Sequence, residues 1–188
     1  MTLPRTLDGG LVQLRALTMR DATSVQRLAG NAQVSAMTAT IPHPYPPGAA
    51  CEWIATHAHG RRQGDFVYGV VRADGMLVGA LGLRIAPNAH GNLGYWIGHP
   101  YWGNGYATAA ARAGIDALFT HTSLGWLMAA HLADNDRSRS VLAKVSMREV
   151  ARSPAMHRGR DVALVLRRID RAAWAQQRAS GDIGDQRA

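Results

Sequence analysis

The pattern of apolar and polar residues along the chain predicts several short β-strands. Residues 11–17 alternate between the two classes, which is the two-residue period of a strand with one buried face. Two apolar runs, residues 66–72 and 76–85, are joined by Ala73-Asp74-Gly75, and this composition predicts the turn of a hairpin. Further strands are predicted over residues 93–97, 126–132, 148–151 and 162–168.

Helices are predicted between residues that cap a helix and residues that end one. Asp21 is expected to cap the first helix and Gly30 to end it. Residues 41–47 are too rich in proline for regular structure, whereas Asp134-Asn135-Asp136 offers caps for a later helix. The predicted helices cover residues 22–29, 49–58, 106–120 and 137–145, followed by a short helix that Asp170 caps and that reaches Trp174.

The order of these elements predicts one α/β domain with a mixed sheet. The hairpin requires antiparallel strands, whereas the strand–helix–strand unit over residues 93–132 implies one parallel pair. The length of 188 residues suits a single domain with a substantial core. We expect this domain to cover residues 1–178 and the polar residues 179–188 to form a flexible tail.

Composition and charge narrow the classes of function. The formal net charge of +8 suits a phosphorylated ligand, nucleic acid or a membrane surface. The arginines are scattered rather than gathered in one basic block, so we do not expect nucleic acid as the primary partner. No apolar run approaches the ~20 residues that span a bilayer, so no membrane partner is expected. The single cysteine, Cys51, excludes an internal disulfide and fits a cytoplasmic protein.

Residues 98–108 have the composition of an anion-binding loop. They connect a predicted strand to a predicted helix, and glycines at 103 and 105 let backbone N–H groups point outward. The first acidic residue of that helix is Asp116, and a carboxylate in the first turn would repel a bound phosphate. An anion site and a plain glycine turn both fit these residues.

Two other phosphate-binding motifs fit less well. A P-loop requires a lysine and a hydroxyl residue directly after its last glycine, and no such pair follows Gly105. A dinucleotide-binding fingerprint is closer, but Thr108 stands at its third glycine and no acidic residue clearly ends a strand about 20 residues on. Nicotinamide binding is therefore disfavoured.

Four stretches of the chain together form a more specific signal. Residues 93–108 resemble a coenzyme-binding motif, and residues within 14–21 resemble the opening strand and helix of the same family. Residues within 41–54 resemble its acceptor-side loop and second helix, and residues within 135–144 its late motif. The family is the GNAT superfamily of N-acetyltransferases, and the resemblance is to its ribosomal-protein-alanine acetyltransferase branch (RimJ/RimL type). The four stretches occur in the family's order and span nearly the whole chain.

The resemblance implies a GNAT fold, with a mostly antiparallel sheet splayed around a cleft for acetyl-CoA. Backbone groups near Ile97 and His99 would pair with the pantetheine arm, and Asn135 would hydrogen-bond it. Ser138 would lie near the thioester sulfur, and Lys144 would either reach the 3′-phosphate or belong to a solvated helix face. The loop residues that would hold the pyrophosphate are Trp102, Gly103, Asn104, Gly105, Tyr106, Ala107 and Thr108.

The same resemblance implies direct attack of a primary amine on acetyl-CoA, without an acyl-enzyme and without a metal. A backbone N–H near Ile97 would stabilise the oxyanion. We expect the acceptor to be a protein amino terminus. A small amine (an antibiotic, polyamine or amino acid) and a catalytically silent coenzyme-A-binding module are the alternatives. His43, Tyr45 and Trp96 are the candidate acceptor-side residues, and a homodimer is compatible with this expectation.

The sequence departs from the family pattern at positions that affect catalysis. Asn92 stands where many relatives have a glutamate base, and Leu142 where many have a tyrosine that serves the leaving thiolate. Asn104 replaces the usual lysine or arginine of the loop. His131 is therefore a candidate base, although a hydrogen-bonded core histidine is the alternative. Ser138 either stabilises the thiolate or only caps its helix.

Overall fold

One mixed sheet forms the centre of the computed structural model, which describes residues 2–85 and 90–182. Within these ranges the strands are β1 (Thr6–Asp8), β2 (Gln13–Arg15), β3 (Asp65–Val71), β4 (Leu77–Ile85), β5 (His90–Ile97), β6 (Trp126–Leu132), β7 (Arg148–His157) and β8 (Arg160–Asp170). Their spatial order is β1-β2-β3-β4-β5-β6-β8-β7, and each neighbouring pair is antiparallel except β5 and β6. The predicted α/β fold with a mostly antiparallel sheet is confirmed.

Helices cover both faces of this sheet. Over the same described ranges they are α1 (Ala22–Ala29), α2 (Ala32–Ala36), α3 (Ala49–Arg62), α4 (Tyr106–His121), α5 (Asp136–Lys144) and α6 (Arg171–Asp182). The alanine-rich α4 packs closely on β4, where a Cβ atom built at Gly114 would come within 2.7 Å of Leu81. A glycine at this point therefore lets the helix approach the sheet. In the described part of the chain, no helix is both long and apolar enough to cross a membrane.

The two faces of the sheet lie in two different hydrophobic cores, because successive side chains of a strand point to opposite faces. Leu81, Leu93 and Tyr95 pack in the larger core, which α4 covers. Val67 and Trp96 pack against the smaller core, which α1 and α3 build. A site that joins the two faces must therefore pass through the sheet.

The sheet opens where β5 and β6 separate. Their parallel pairing runs from His90 opposite Trp126 to Leu93 opposite Ala129, and it ends there. Beyond that point β5 stays paired with β4, and β6 stays paired with β8. The β6-facing edge of residues 94–97 is left without a strand partner, which is the splay that the family resemblance implies.

Several predicted elements agree closely with the structure. α1 and β6 have the predicted bounds, and the turn at 73–75 joins β3 to β4 as expected. The cap of α5 is Asn135, whose Oδ1 accepts a hydrogen bond from the Ser138 N–H at 3.0 Å. The capping role considered for Ser138 therefore belongs to Asn135.

Other predicted boundaries are wrong. α3 continues past its predicted end at residue 58 to Arg62. β2 is shorter than the predicted strand over residues 11–17, whereas β5 begins three residues earlier than expected, at His90. β7 continues through Pro154, which is tolerated because β7 is an edge strand of the sheet. α6 extends past the predicted end of its helix at Trp174 to Asp182, and residues 183–188 of the expected tail lie outside the described residues.

Asp21 does not cap α1 with its side chain. Its carboxylate accepts two hydrogen bonds from the Arg15 guanidinium, at 2.7 and 2.9 Å, and two more from the N–H and hydroxyl of Thr18. These contacts, led by those from Arg15, lower the pKa of the Asp21 carboxyl.

The sequence pattern also missed β1 and α2, because three and five residues are too few to show a period.

Candidate active site

A cleft of about 1510 Å³ lies where β5 and β6 separate, and residues of both faces of the sheet line it. On the α4 side it is lined by the glycine loop, by Tyr95 and by the first turns of α5. On the α1 and α3 side it is lined by Trp53, His57 and Trp96. The cleft therefore joins the two faces through the gap in the sheet, so two ligands can meet there from opposite sides.

The loop before α4 carries backbone N–H groups that can bind an anion. Gly103 and Gly105 both have a φ of +79°, a left-handed conformation that glycine adopts at little cost. Gly105 is the N-cap of α4 and makes no side-chain cap, and the first turn holds no acidic residue. The N–H groups of residues 106–108 therefore keep the partial positive charge of a helix terminus. A pyrophosphate fits such a site.

Side chains of the loop hold its shape, and an arginine of α5 adds positive charge beside it. The Asn104 amide donates to the carbonyls of Tyr101 and Trp102, at 3.2 and 3.0 Å, so it braces the loop from within. The Trp102 indole donates to the Ile97 carbonyl at 2.6 Å, and the Arg137 guanidinium lies 4.7 Å from the indole ring. Arg137, which lines the cleft, thus adds positive charge where Asn104 provides none.

Tyr95 and Ser138 form a hydroxyl pair on the α4 side of the cleft. The Tyr95 Oη atom lies 2.9 Å from Ser138 Oγ, and both residues line the cleft. Burial is the main reason that the pKa of Tyr95 rises to about 12. The phenol is therefore neutral at physiological pH and can donate a hydrogen bond to Ser138.

His131 lines the cleft, but both of its ring nitrogens are engaged. Nδ1 lies 2.8 Å from the carbonyl of Leu132, and Nε2 accepts a hydrogen bond from Arg167 Nε at 3.2 Å. The Arg167 side chain is held in turn by the Met147 carbonyl at 2.9 Å. This geometry is that of a hydrogen-bonded core histidine, and it leaves the Nε2 lone pair occupied.

The α1 and α3 side of the cleft is aromatic. Tyr45 and Trp96 line it and are half-buried, whereas His43 is exposed and does not line it. The rings of Trp53 and His57 meet edge-to-face with centroids 4.5 Å apart. Within the described residues neither ring nitrogen of His57 has a hydrogen-bond partner, and burial lowers its pKa.

A polar row crosses three strands at the end of this side. Asp65 on β3 lies opposite Arg84 on β4, which lies opposite Asn92 on β5. Arg84 donates from Nε and Nη2 to the two carboxylate oxygens of Asp65, at 2.6 and 2.9 Å. The position of the family's glutamate base therefore holds an amide, and the carboxylate of the same row is already paired.

The structure places most of the candidate residues of the sequence around this one cleft. His43 and His99 do not line it. Residues that sequence reasoning missed are Tyr95, Arg137, Arg84, Trp53 and His57, whose places depend on strand register and helix packing. The candidates that line the cleft are Tyr45, Trp96, Ile97, Trp102, Gly103, Asn104, Gly105, Tyr106, Ala107, Thr108, His131, Asn135, Ser138 and Lys144.

Comparison with known proteins shows which family this chain belongs to. A family model for the acetyltransferase (GNAT) domain matches residues 12–148, which is most of the chain. The chain belongs to the GNAT acetyltransferase family. This GNAT protein is therefore an acetyl-CoA-dependent N-acetyltransferase, and the predicted family and cosubstrate are confirmed.

Solved structures share the whole fold of this acetyltransferase. Mycobacterium smegmatis RimJ, in complex with CoA-disulfide, is 25% identical, with 96% of this chain and 95% of that one covered at a TM-score of 0.79. Vibrio fischeri ribosomal-protein-S5-alanine acetyltransferase is 20% identical, with 90% and 98% covered and a TM-score of 0.74. Vibrio cholerae spermidine N-acetyltransferase, in complex with CoA and spermine, is 18% identical, with 88% and 98% covered and a TM-score of 0.76.

The geometry of this GNAT cleft fits acetyl-CoA. The uncapped N-terminus of α4 matches a pyrophosphate, and the unpaired edge of residues 94–97 matches the amides of a pantetheine arm. The Ile97 carbonyl already accepts a hydrogen bond from the Trp102 indole, and its second lone pair can accept another from a coenzyme amide. Among the residues that the structure describes, no group of three or more His, Cys, Asp or Glu could hold a metal ion.

Proposed function

We propose that this enzyme acetylates the α-amine at the amino terminus of a protein or peptide. The charge of the cleft is the observation that carries the proposal. Among the described residues that line it, the carboxylates are Asp65, which Arg84 binds, and Asp136, which Arg139 binds at 2.8 Å. A polyamine brings several ammonium groups and needs several open carboxylates to receive them, whereas a peptide α-amine attacks in its neutral form and needs none.

In this proposal the coenzyme lies on the α4 side. The N–H groups of residues 103–108 bind the pyrophosphate, and Arg137 and Lys144, which line the same side, add positive charge. The open edge of β5 pairs with the pantetheine amides as a neighbouring strand would. Asn135 uses Oδ1 for its helix cap, so its Nδ2 amide is the group that binds the arm.

Ser138 and Tyr95 stabilise the leaving thiolate. Leu142, at the position of the family's tyrosine, is fully buried in the larger core and carries no donor. Tyr95 supplies a phenol from β5 instead. Because its pKa is about 12, it stays protonated and donates to Ser138 Oγ, which leaves the Ser138 O–H to point at the sulfur.

The acceptor amine enters from the α1 and α3 side and meets the thioester in the gap. Its nitrogen bonds to the acetyl carbonyl carbon, the carbon–sulfur bond breaks, and the amine gives up a proton. Asn92 cannot accept that proton, and Nε2 of His131 is occupied by Arg167. The proton passes to water in the open cleft or to His57, which lines the cleft and whose ring nitrogens have no hydrogen-bond partner among the described residues.

Thiol release from acetyl-CoA tests the proposal across a panel of acceptors. The panel contains hexapeptides that begin with alanine or serine, the same peptides with a blocked amino terminus, spermidine and free amino acids. We expect release with the open peptides and none with the blocked ones. Faster turnover of spermidine than of any peptide would overturn the proposal, and no thiol release with any member of the panel would favour a silent coenzyme-A-binding module.

Two broader expectations belong to the same proposal. A cytoplasmic location follows from the single cysteine of the chain and from the ribosomal type of acceptor. A homodimer is compatible with the proposal. Cell fractionation tests the location, and light scattering of the purified protein at micromolar concentration tests the assembly.

A further inference from the structure

Two glycines leave a bare patch of backbone in the middle of the sheet. Gly82 on β4 and Gly94 on β5 are directly opposite each other, and both line the cleft. A Cβ atom built at Gly94 would meet nothing within 4 Å, and one built at Gly82 would meet only the Gly94 carbonyl at 3.9 Å. Gly94 is exposed although β5 is a central strand. The floor of the cleft is therefore open backbone at this point.

The bare patch lies on the α1 and α3 side, at the start of the splay. Gly94 shares its face of β5 with Asn92 and Trp96, because alternate residues of a strand share a face. It directly follows Leu93, the last residue of β5 that pairs with β6. A ligand that rests on Gly94 is thus beside the gap through which the coenzyme is reached.

Larger side chains border the two glycines along both strands. Trp96 and Ala80 lie next along the strands on one side, and Arg84 and Asn92 lie next on the other. Trp53 and His57 of α3 line the same cleft.

Glycine weakens a strand interior, because it costs more backbone entropy and offers no side chain to pack. Two opposed glycines with open space above them are therefore explained better by a ligand that approaches the backbone than by packing.

We propose that Gly82 and Gly94 form the seat for the first residue of the acceptor peptide. The main chain of that residue lies against the two bare strands, and its α-amine points into the gap beside Leu93. This inference rests on the proposed function, because it names the place where the peptide acceptor of the same reaction is bound. Close backbone approach makes the seat selective for a slim peptide terminus.

Substitution at Gly94 tests the seat directly. Gly94→Val fills the patch with a β-branched side chain that suits a strand and whose Cβ atom meets nothing within 4 Å. We expect the KM for the alanine hexapeptide to rise by about tenfold or more, the loss that ~1.4 kcal/mol of binding energy represents. The affinity for acetyl-CoA, measured by titration calorimetry, and the melting temperature should stay close to those of the wild type. Gly94→Ala should give a smaller change in the same direction.

Gly125→Val is the matched control. Gly125 also has open space for a Cβ atom, but it precedes β6 and does not line the cleft. It should leave the peptide KM unchanged. An unchanged peptide KM in both Gly94 variants overturns the seat while leaving the proposed function intact. If the wild-type enzyme acetylates no peptide, the proposed function fails instead. A Gly94→Val protein that no longer binds acetyl-CoA also contradicts the assignment, because the seat then belongs to the coenzyme.

Discussion

The Tyr95 hydroxyl lies 2.9 Å from the Ser138 hydroxyl, and the two come from different elements, β5 and α5. Their approach places a neutral phenol behind a serine on the coenzyme side of the cleft. Leu142, at the position where many relatives have a tyrosine, is buried and carries no donor, and in our proposal this pair takes that role.

Removal of either hydroxyl should therefore slow the chemical step. We expect Ser138→Ala to lower kcat by roughly 10–1000-fold, as for the loss of one positioned donor, with acetyl-CoA affinity nearly unchanged. Tyr95→Phe should cost less, because it acts through Ser138. The double variant should be no slower than Ser138→Ala alone, since the pair acts as a unit. A normal kcat with a lowered melting temperature would mean that the pair is only structural.

A substitution that constrains the backbone of the glycine loop should selectively weaken the binding of acetyl-CoA. Gly105→Val forces a branched residue into a φ of +79° at the anion site, so acetyl-CoA affinity should fall by at least tenfold in titration calorimetry. Gly75→Val is the matched control, because Gly75 has a φ of +83° in the β3–β4 turn and does not line the cleft. Equal coenzyme affinity in both variants would contradict the pyrophosphate assignment.

Arg84 should govern which amines are accepted. Arg84→Ala frees the Asp65 carboxylate at the acceptor end of the cleft, and a free carboxylate attracts a second ammonium group. We expect kcat/KM for spermidine to rise several-fold relative to the peptide. Arg152→Ala, which breaks the Arg152–Glu149 pair outside the cleft, should leave this ratio unchanged. A ratio that moves equally in both variants would remove Arg84 from specificity.

His57 should make the fold sensitive to mild acid. Burial lowers the pKa of its ring in the folded protein, whereas the unfolded chain binds protons near the ordinary value of about 6.5. Below that pH the unfolded state holds more protons, so the free energy of unfolding falls as the pH drops toward the folded pKa. His57→Phe should flatten the decline of melting temperature between pH 7 and 5. His121→Phe, which removes an exposed histidine, should not, and identical slopes in the two variants would refute the effect.

The long elements could be predicted from the sequence because their signals are local. β6 and α1 carry their own periodicity and stop residues, and their bounds were predicted without error. β5 begins at His90 rather than Leu93 because its first residues, which carry no apolar pattern, become a strand through pairing with β6 and β4. α3 ends at Arg62 rather than at residue 58, because the glycine that adopts the left-handed conformation after the C-cap Gln63 is Gly64, with a φ of +88°.

The conformation of the glycine loop before α4 could also be predicted, because its glycines and its acid-free helix start are consecutive in the chain. The arrangement of side chains on the α1 and α3 side of the cleft could not be predicted from the sequence. Whether Tyr95 or Trp96 faces the coenzyme depends on the register of β5, and the pairing of Arg84 with Asp65 depends on the register of β3 against β4. His131 was a candidate base because its strand was known, whereas its partner Arg167 lies on β8.

The most direct test of the account is the site of acetylation on a peptide that offers two amines. A hexapeptide with an amino-terminal alanine and an internal lysine is incubated with the enzyme and acetyl-CoA, and the product is located by fragmentation mass spectrometry. The account predicts acetyl on the α-amine and an unmodified lysine side chain. Acetyl on the lysine with a free amino terminus would contradict it.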